Sequence, residues 1–211
     1  VTAEIIIKII AAFIAAYLLG SIPSAYIMGR LTKKIDIRTV GSHNMGAMNS
    51  FYNLGKGVGV MVLAADVLKG VAAVALADLL FNIPNLYMFI CGFIVVLGHN
   101  YPVWLKFKGG KGGATAIGAI IYFIPWGIPI GLAVFLLLVL ITKFPTLSYG
   151  IAMISFPFVS WLVYDRPDYI LYTALLILVP FLSYIPRIKE MKSKGGSWSR
   201  VVKRKNLKDR L

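Results

Sequence analysis

The chain has 211 residues, of which 59% are hydrophobic and only 14% charged, and its mean hydropathy is +0.81. That is too apolar for a soluble domain of this length and marks an integral membrane protein. A net charge of +14 would suit nucleic acid, but the cations lie in short loops and a tail between apolar runs, which points instead to lipid headgroups and anionic substrates.

Apolar runs predict an all-α membrane protein with seven transmembrane helices, at roughly 4 to 28, 57 to 81, 85 to 105, 113 to 125, 127 to 142, 146 to 164 and 169 to 186. The first has a sparse charged lead and no Ala-x-Ala cleavage signal, so it reads as a retained helix rather than a removed signal peptide. The loop after it, from Asp36 to Ser50, is dominated by small and amide residues. Gly41 and Gly46 permit sharp turns, while Ser42, Asn44 and Asn49 offer neutral donors and acceptors suited to a polyol or phosphate held close to backbone. The alternative is a capped loop whose Ser and Asn satisfy helix ends. His43 by itself reads as a surface histidine.

Asp66 and Lys69, three apart in the second span, share one helical face. A carboxylate and an ammonium inside an apolar helix either pair with each other or line a polar cavity. The third span holds Cys91, the single cysteine, which excludes an internal disulfide; with only two histidines besides, the sequence argues against a structural zinc site. His99 ends that span and suits a general base, a donor to phosphate or a cation at a helix C-terminus.

Next comes Phe107-Lys108-Gly109-Gly110-Lys111-Gly112-Gly113-Ala114-Thr115. Glycines around Lys111 allow successive backbone N–H groups to converge on an oxyanion, and the helix start that follows favours a phosphate. The other reading is a cytoplasmic turn that is basic for topological reasons. It is not a Walker A loop, because Gly112 rather than Ser or Thr follows Lys111 and Leu105 stands where the first glycine would. The apolar run from Ala114 to Thr142 is too long for one helix, and Pro125-Trp126-Gly127-Ile128-Pro129 predicts a tight turn or re-entrant break.

All of the 22 lysines and arginines except Lys8, Lys69 and Arg166 fall in the first loop, the glycine-rich loop, Lys143 and the stretch from Arg187 to Arg210. The positive-inside rule then puts those loops in the cytoplasm and the N-terminus outside. Merging the fourth and fifth spans would move both Lys143 and the tail to the outer side, so seven spans fit better than six. Residues 1–186 thus read as one polytopic membrane domain and 187–211 as a basic cytoplasmic tail that rests on anionic lipid.

Four motifs, in order, carry a family resemblance: Gly20-Ser21-Ile22-Pro23; Asp36-x-Arg38-x-x-Gly41-Ser42-x-Asn44-x-Gly46-Ala47-x-Asn49; Asp66-x-x-Lys69-Gly70; and Gly98-His99-x-x-Pro102 with Phe107-x-Gly109-Gly110-Lys111-Gly112-x-Ala114-Thr115. Together they resemble the membrane acyl-phosphate:glycerol-3-phosphate acyltransferases of the PlsY type. The resemblance implies transfer of a fatty acyl group from acyl phosphate to the 1-hydroxyl of glycerol 3-phosphate, giving lysophosphatidic acid and phosphate, in a bacterial-type plasma membrane. It implies a cytoplasmic active site, and neither metal nor cofactor. It also implies catalytic roles for Ser42, His99 and Lys111. Substrate-binding roles are implied for Arg38, Gly41, Asn44, Gly46, Asn49, Asp66, Lys69, Gly109, Gly110, Gly112, Thr115 and Thr146. Its expected partners are the two substrates and membrane lipid, not nucleic acid.

Some positions depart from the family pattern. His43 and Met48 interrupt the first motif, and Tyr52 stands where the family has arginine. Thr146-Leu147-Ser148 matches a serine-rich start only in part, and Arg187-Ile188-Lys189-Glu190-Met191 lacks the family's His and Asn. A different polyol phosphate acceptor is therefore the alternative. An anion or lipid transporter is the reading from another class, but it should show repeat symmetry and ionisable groups near mid-membrane, whereas most candidates here cluster at one face.

Overall fold

The structure, a computed structural model, describes residues 2–199. Among these all regular elements are helices, and the chain divides into two compact units, Val1–Tyr122 and Phe123–Leu211.

The first unit contains α1 (Ala3–Ser21), α2 (Ser24–Lys33), α3 (Ala47–Asn53), α4 (Lys56–Ala75), α5 (Asn85–Asn100) and α6 (Gly113–Phe123), the last leading into the second unit. Thr2 caps α1 by accepting the Ile5 N–H, and Glu4 pairs with Lys8 one turn on at 2.6 Å. The single run expected from 4 to 28 is in fact broken. Pro23 has no N–H to donate and clashes with the preceding turn, so α1 closes with the Ile22 N–H on the Leu19 carbonyl and α2 restarts at Ser24. One π-helical turn, Leu76–Leu80, extends α4.

Two glycine crossings set the arrangement of the helices. A Cβ on Gly20 would run into the Val95 carbonyl and one on Gly98 into the Tyr17 carbonyl, so α1 and α5 touch backbone to backbone. Likewise a Cβ on Gly70 would meet the Thr115 carbonyl and one on Gly118 the Val67 carbonyl, which holds α4 against the first turns of α6. Gly70→Ala is therefore expected to lower stability by about 1–3 kcal/mol and to push Thr115 off its neighbours. A thermal melt in detergent checks this, and an unchanged midpoint would contradict the crossing.

The second unit contains α7 (Gly127–Thr142), α8 (Pro145–Met153), α9 (Ser155–Val159) with a following π-helical turn at Ser160–Tyr164, and α10 (Pro167–Gly195). The proline-rich break is a tight turn: the Gly127 N–H reaches the Ile124 carbonyl at 2.9 Å and the Ile128 N–H the Pro125 carbonyl at 3.1 Å. α10 does not stop near 186 as expected. It carries on through Pro180 and Pro186, and Glu190 bridges Arg187 and Lys194 along its last turns, so the first part of the expected tail is helical. Residues 200–211 of that tail lie outside the described residues.

Five helical stretches are long and apolar enough to cross a membrane: Ala3–Lys33, Lys56–Leu80, Asn85–Leu105, Pro145–Tyr164 and Pro167–Gly195. The other two apolar helices expected as spans are shorter, at 11 residues for α6 and 16 for α7. At 1.5 Å per residue α6 runs about 16 Å, roughly half a hydrocarbon core. Ile7, Leu68, Leu140 and Leu182 point outward, as they do on a lipid-facing surface, while the charged pair of α4 points inward.

Candidate active site

Polar side chains from three helices are buried together in the first unit. Asp66 and Lys69 lie one turn apart on α4, and their carboxylate and ammonium pair at 2.8 Å with 5% or less of either side chain exposed. Lys69 Nζ also donates to the Ile22 carbonyl at 3.1 Å, which the break before Pro23 leaves without a helical partner. His99, in the last turn of α5, places Nδ1 3.6 Å from the same Asp66 oxygen and 3.3 Å from the Thr115 hydroxyl on α6. Of the two readings of Asp66 and Lys69, the structure shows the internal ion pair, and His99 packs against it.

The imidazole's Nε2 faces the glycine-rich loop, since a Cβ on Gly110 would collide with it and with the Met45 carbonyl. The expectation that Gly109 and Gly110 offer their N–H groups to an oxyanion is corrected here. The Gly109 N–H donates to the Asn100 carbonyl at 3.0 Å and the Gly110 N–H to the His99 carbonyl at 3.1 Å. These glycines close the C-terminal end of α5, where carbonyls lack intrahelical partners, and need to be glycine because the backbone lies so near. Gly112 has φ +79° and fits between the Val96 and Asn100 side chains, and its carbonyl accepts the Ala116 N–H as α6 begins. Lys111, half-buried, sits between that turn and Gly110.

The first loop is built on a small apolar core. Ile37 and Met45 are fully buried against Ala25, Leu54 and Val62. Asn49 organises the backbone above that core: its amide nitrogen donates to the carbonyls of Ile37, Val40 and Asn44 at 3.0–3.1 Å, and its oxygen accepts the Ser42 N–H at 3.1 Å. Gly41, at φ +62°, passes directly over Asn49 and Asn53, leaving no room for a Cβ. Asn49 is expected to bind substrate, but its amide is occupied by the loop itself. Ser42 and Asn44 remain half-buried, and the Asn44 amide lies over Gly46. Exposed His43 turns Nδ1 to the Arg38 carbonyl at 3.1 Å.

Arg38 links the two loops. Its Nε and Nη2 grip the Asp36 carboxylate at 3.0 and 2.7 Å, and its Nη1 donates to the carbonyls of Leu105 and Lys108, each at 3.4 Å. Its guanidinium carbon lies 5.3 Å from the centre of the Tyr26 ring. Hydrogen bonds from Arg38 hold the Asp36 carboxyl below its ordinary range. The bracket therefore contributes fully above the usual aspartate pKa of about 4 and is lost as pH falls through the lowered value.

Thr146 belongs to the second unit, in the first turn of α8, where its neighbour Ser148 bonds the Thr142 hydroxyl at 2.9 Å and the Phe144 carbonyl at 3.0 Å. Tyr52 stands edge-on to Phe51 at 5.5 Å. Sequence reasoning missed Tyr26 and Asn53. The second was detectable, because Asn49 and Asn53 are four apart on one helix and so share a face; Asn53 donates to the Asn49 side-chain oxygen at 2.8 Å. Among the described residues no group of three or more His, Cys, Asp or Glu side chains is placed to hold a metal ion.

The arrangement is a positively charged, glycine-closed loop above a buried histidine, next to a loop of hydroxyl and amide groups, which suits a phosphorylated substrate. The sequence pattern described as glycerol-3-phosphate acyltransferase matches residues 10–194. A protein of Dehalococcoides mccartyi (strain CBDB1) named glycerol-3-phosphate acyltransferase 2 is 54% identical over 208 residues, covering 98% of this chain and 99% of the relative. The glycerol-3-phosphate acyltransferase of Bacillus subtilis (strain 168) is 42% identical over 166 residues, 79% of this chain and 85% of the relative. Among solved structures, PlsY, an integral membrane glycerol 3-phosphate acyltransferase, in its glycerol 3-phosphate form is similar with a TM-score of 0.80 and 32% identity, over 88% of this chain and 92% of that one.

Proposed function

Because the chain belongs to the glycerol-3-phosphate acyltransferase family, we propose that it transfers a fatty acyl group from acyl phosphate to the 1-hydroxyl of glycerol 3-phosphate, releasing lysophosphatidic acid and phosphate. The observation that carries the reading is the glycine-rich loop seated over the Asp66–Lys69–His99–Thr115 cluster, inside the stretch over which the family matches.

In the proposed reaction the hydroxyl oxygen attacks the acyl carbonyl carbon. The bond from that carbon to the phosphate oxygen breaks, its electron pair stays with phosphate, and the hydroxyl proton passes to phosphate oxygen. No protein group needs to change protonation, so the protein contributes orientation and charge stabilisation. Lys111 and the first-turn N–H groups of α6 meet phosphate charge; Ser42 and Asn44 position the polar substrate; His99, steadied by Thr115 and Asp66, donates a hydrogen bond to phosphate or hydroxyl. Gly41, Gly46 and Asn49 shape the first loop, Gly109, Gly110 and Gly112 shape the second, and Lys69 holds Asp66. Thr146, in the first turn of α8, keeps its proposed substrate-binding role.

We further propose seven crossings with the N-terminus outside and the site at the cytoplasmic face of a bacterial-type plasma membrane. The distribution of cations supports this orientation. α6 is short because the loop before it already enters the protein, with Gly112 buried, and irregular backbone below the membrane surface is tolerated where protein covers it.

The test is product identification by mass spectrometry, with purified protein in lipid mesophase given palmitoyl phosphate and glycerol 3-phosphate. The expected product carries the acyl group on the 1-hydroxyl. Absence of product, or a product formed only from palmitoyl-CoA, would overturn the reading of the donor.

A further inference from the structure

Arg38 is expected from the sequence to bind substrate, yet every nitrogen of its guanidinium is already engaged within the protein. Nε and Nη2 hold Asp36, and Nη1 reaches the carbonyls of Leu105 and Lys108. Those two carbonyls flank Lys106 and Phe107, which are consecutive non-glycine residues in the left-handed region, at φ +54° and +60°. A left-handed pair of this kind is unfavourable for residues with a β-carbon and persists only where its surroundings hold it. Directly beyond it the Gly109 and Gly110 N–H groups dock on the end of α5.

We infer that Arg38 is a positioning residue: a strap from the first loop that clamps both ends of the strained Lys106–Phe107 turn and so fixes where the glycine-rich loop presents Lys111. The planar fork is essential to this role, since one side chain must reach a carboxylate on one edge and two backbone carbonyls on another. Asp36 orients the fork, and the Tyr26 ring supports its face. Three residues that the proposed reaction leaves unused thereby acquire a role in it. The inference rests on the acyltransferase reading only for what Lys111 does, not for the strap itself.

The experiment compares the reconstituted wild-type chain with Arg38→Ala, Arg38→Lys and the double variant Arg38→Ala/Phe107→Asn. Hydrogen exchange is followed at the amides of Gly109 and Gly110, and kcat and KM are measured for glycerol 3-phosphate. A strap predicts faster exchange at both glycines in Arg38→Ala and a kcat lower by about 100-fold, the scale of a misplaced catalytic group, with KM changed much less. Lysine restores charge but not the fork, so Arg38→Lys should resemble the alanine variant. Asparagine tolerates the left-handed region, so Phe107→Asn should recover roughly tenfold of the lost kcat by removing the strain the strap opposes. A raised KM with unchanged glycine exchange, or full rescue by lysine, would make Arg38 a substrate contact and overturn the strap. Should the wild-type chain show no acyl transfer, the exchange measurements still decide the strap while the functional reading falls.

Discussion

Lys111→Ala is expected to abolish acceptor-dependent phosphate release while leaving the protein folded. The structure sharpens this expectation by removing the alternative donors. The Gly109 and Gly110 N–H groups, expected from the sequence to face the phosphate, are bonded to the Asn100 and His99 carbonyls. Within the run of four glycines the full positive charge is that of Lys111, beside the partial charges at the start of α6. Loss of a charge aimed at a transferring phosphoryl group lowers kcat by about 10²- to 10³-fold on the scale of other charge-stabilising donors. Folding should be spared, because Lys111 is half-buried in a loop whose shape comes from its glycines. Steady-state kinetics and a thermal melt on the same preparation test both halves; near-normal turnover would overturn the phosphate assignment.

Lys69→Ala should have the largest effect on stability. It leaves the Asp66 carboxylate buried without its cation and the Ile22 carbonyl at the α1–α2 break with only the Ser24 N–H as donor. Breaking a buried ion pair by removing one partner destabilises by about 3–5 kcal/mol, whereas replacing both partners with neutral groups of similar volume is often much milder. The double variant Asp66→Asn/Lys69→Met is therefore expected to regain most of the lost stability in a denaturation series. It should not regain turnover, because the support beneath His99 is changed. A single variant as stable as the parent would mean that the pair is hydrated rather than buried.

Hydropathy alone located the helices of the middle of the chain within a few residues. The second span expected at 57–81 is Lys56–Leu80, and the turn forced by Pro125 and Pro129 falls between Phe123 and Gly127. Spacing also placed Asp66 and Lys69 on one face. The break at Pro23 and the continuation of α10 past Pro186 were less legible, because a proline inside an apolar helical run either ends it or is absorbed as a kink. Whether a proline ends a helix or is absorbed depends on what satisfies the freed carbonyls; at Ile22 the partners are the nearby Ser24 N–H and Lys69, 47 residues away. The glycines were legible as a place of close approach, but not as to what approaches. Gly110 and Gly112 make room for His99 and Asn100, and Gly20, Gly70, Gly98 and Gly118 for neighbouring backbone. Arg38 and Asn49 show the same limit, since their residue types suit a phosphate or polyol and equally suit the carbonyls of a tightly turned loop. Only the tertiary arrangement distinguishes these uses.

In the proposed reaction the two loops together bind acyl phosphate and glycerol 3-phosphate. The most direct measurement is phosphate release by purified protein given palmitoyl phosphate, with and without glycerol 3-phosphate. Release is expected to depend on the acceptor and to be lost in Lys111→Ala. Release that is indifferent to glycerol 3-phosphate, or that requires another polyol phosphate, would contradict it and turn attention to Tyr52 and Met191 as the residues that set the acceptor.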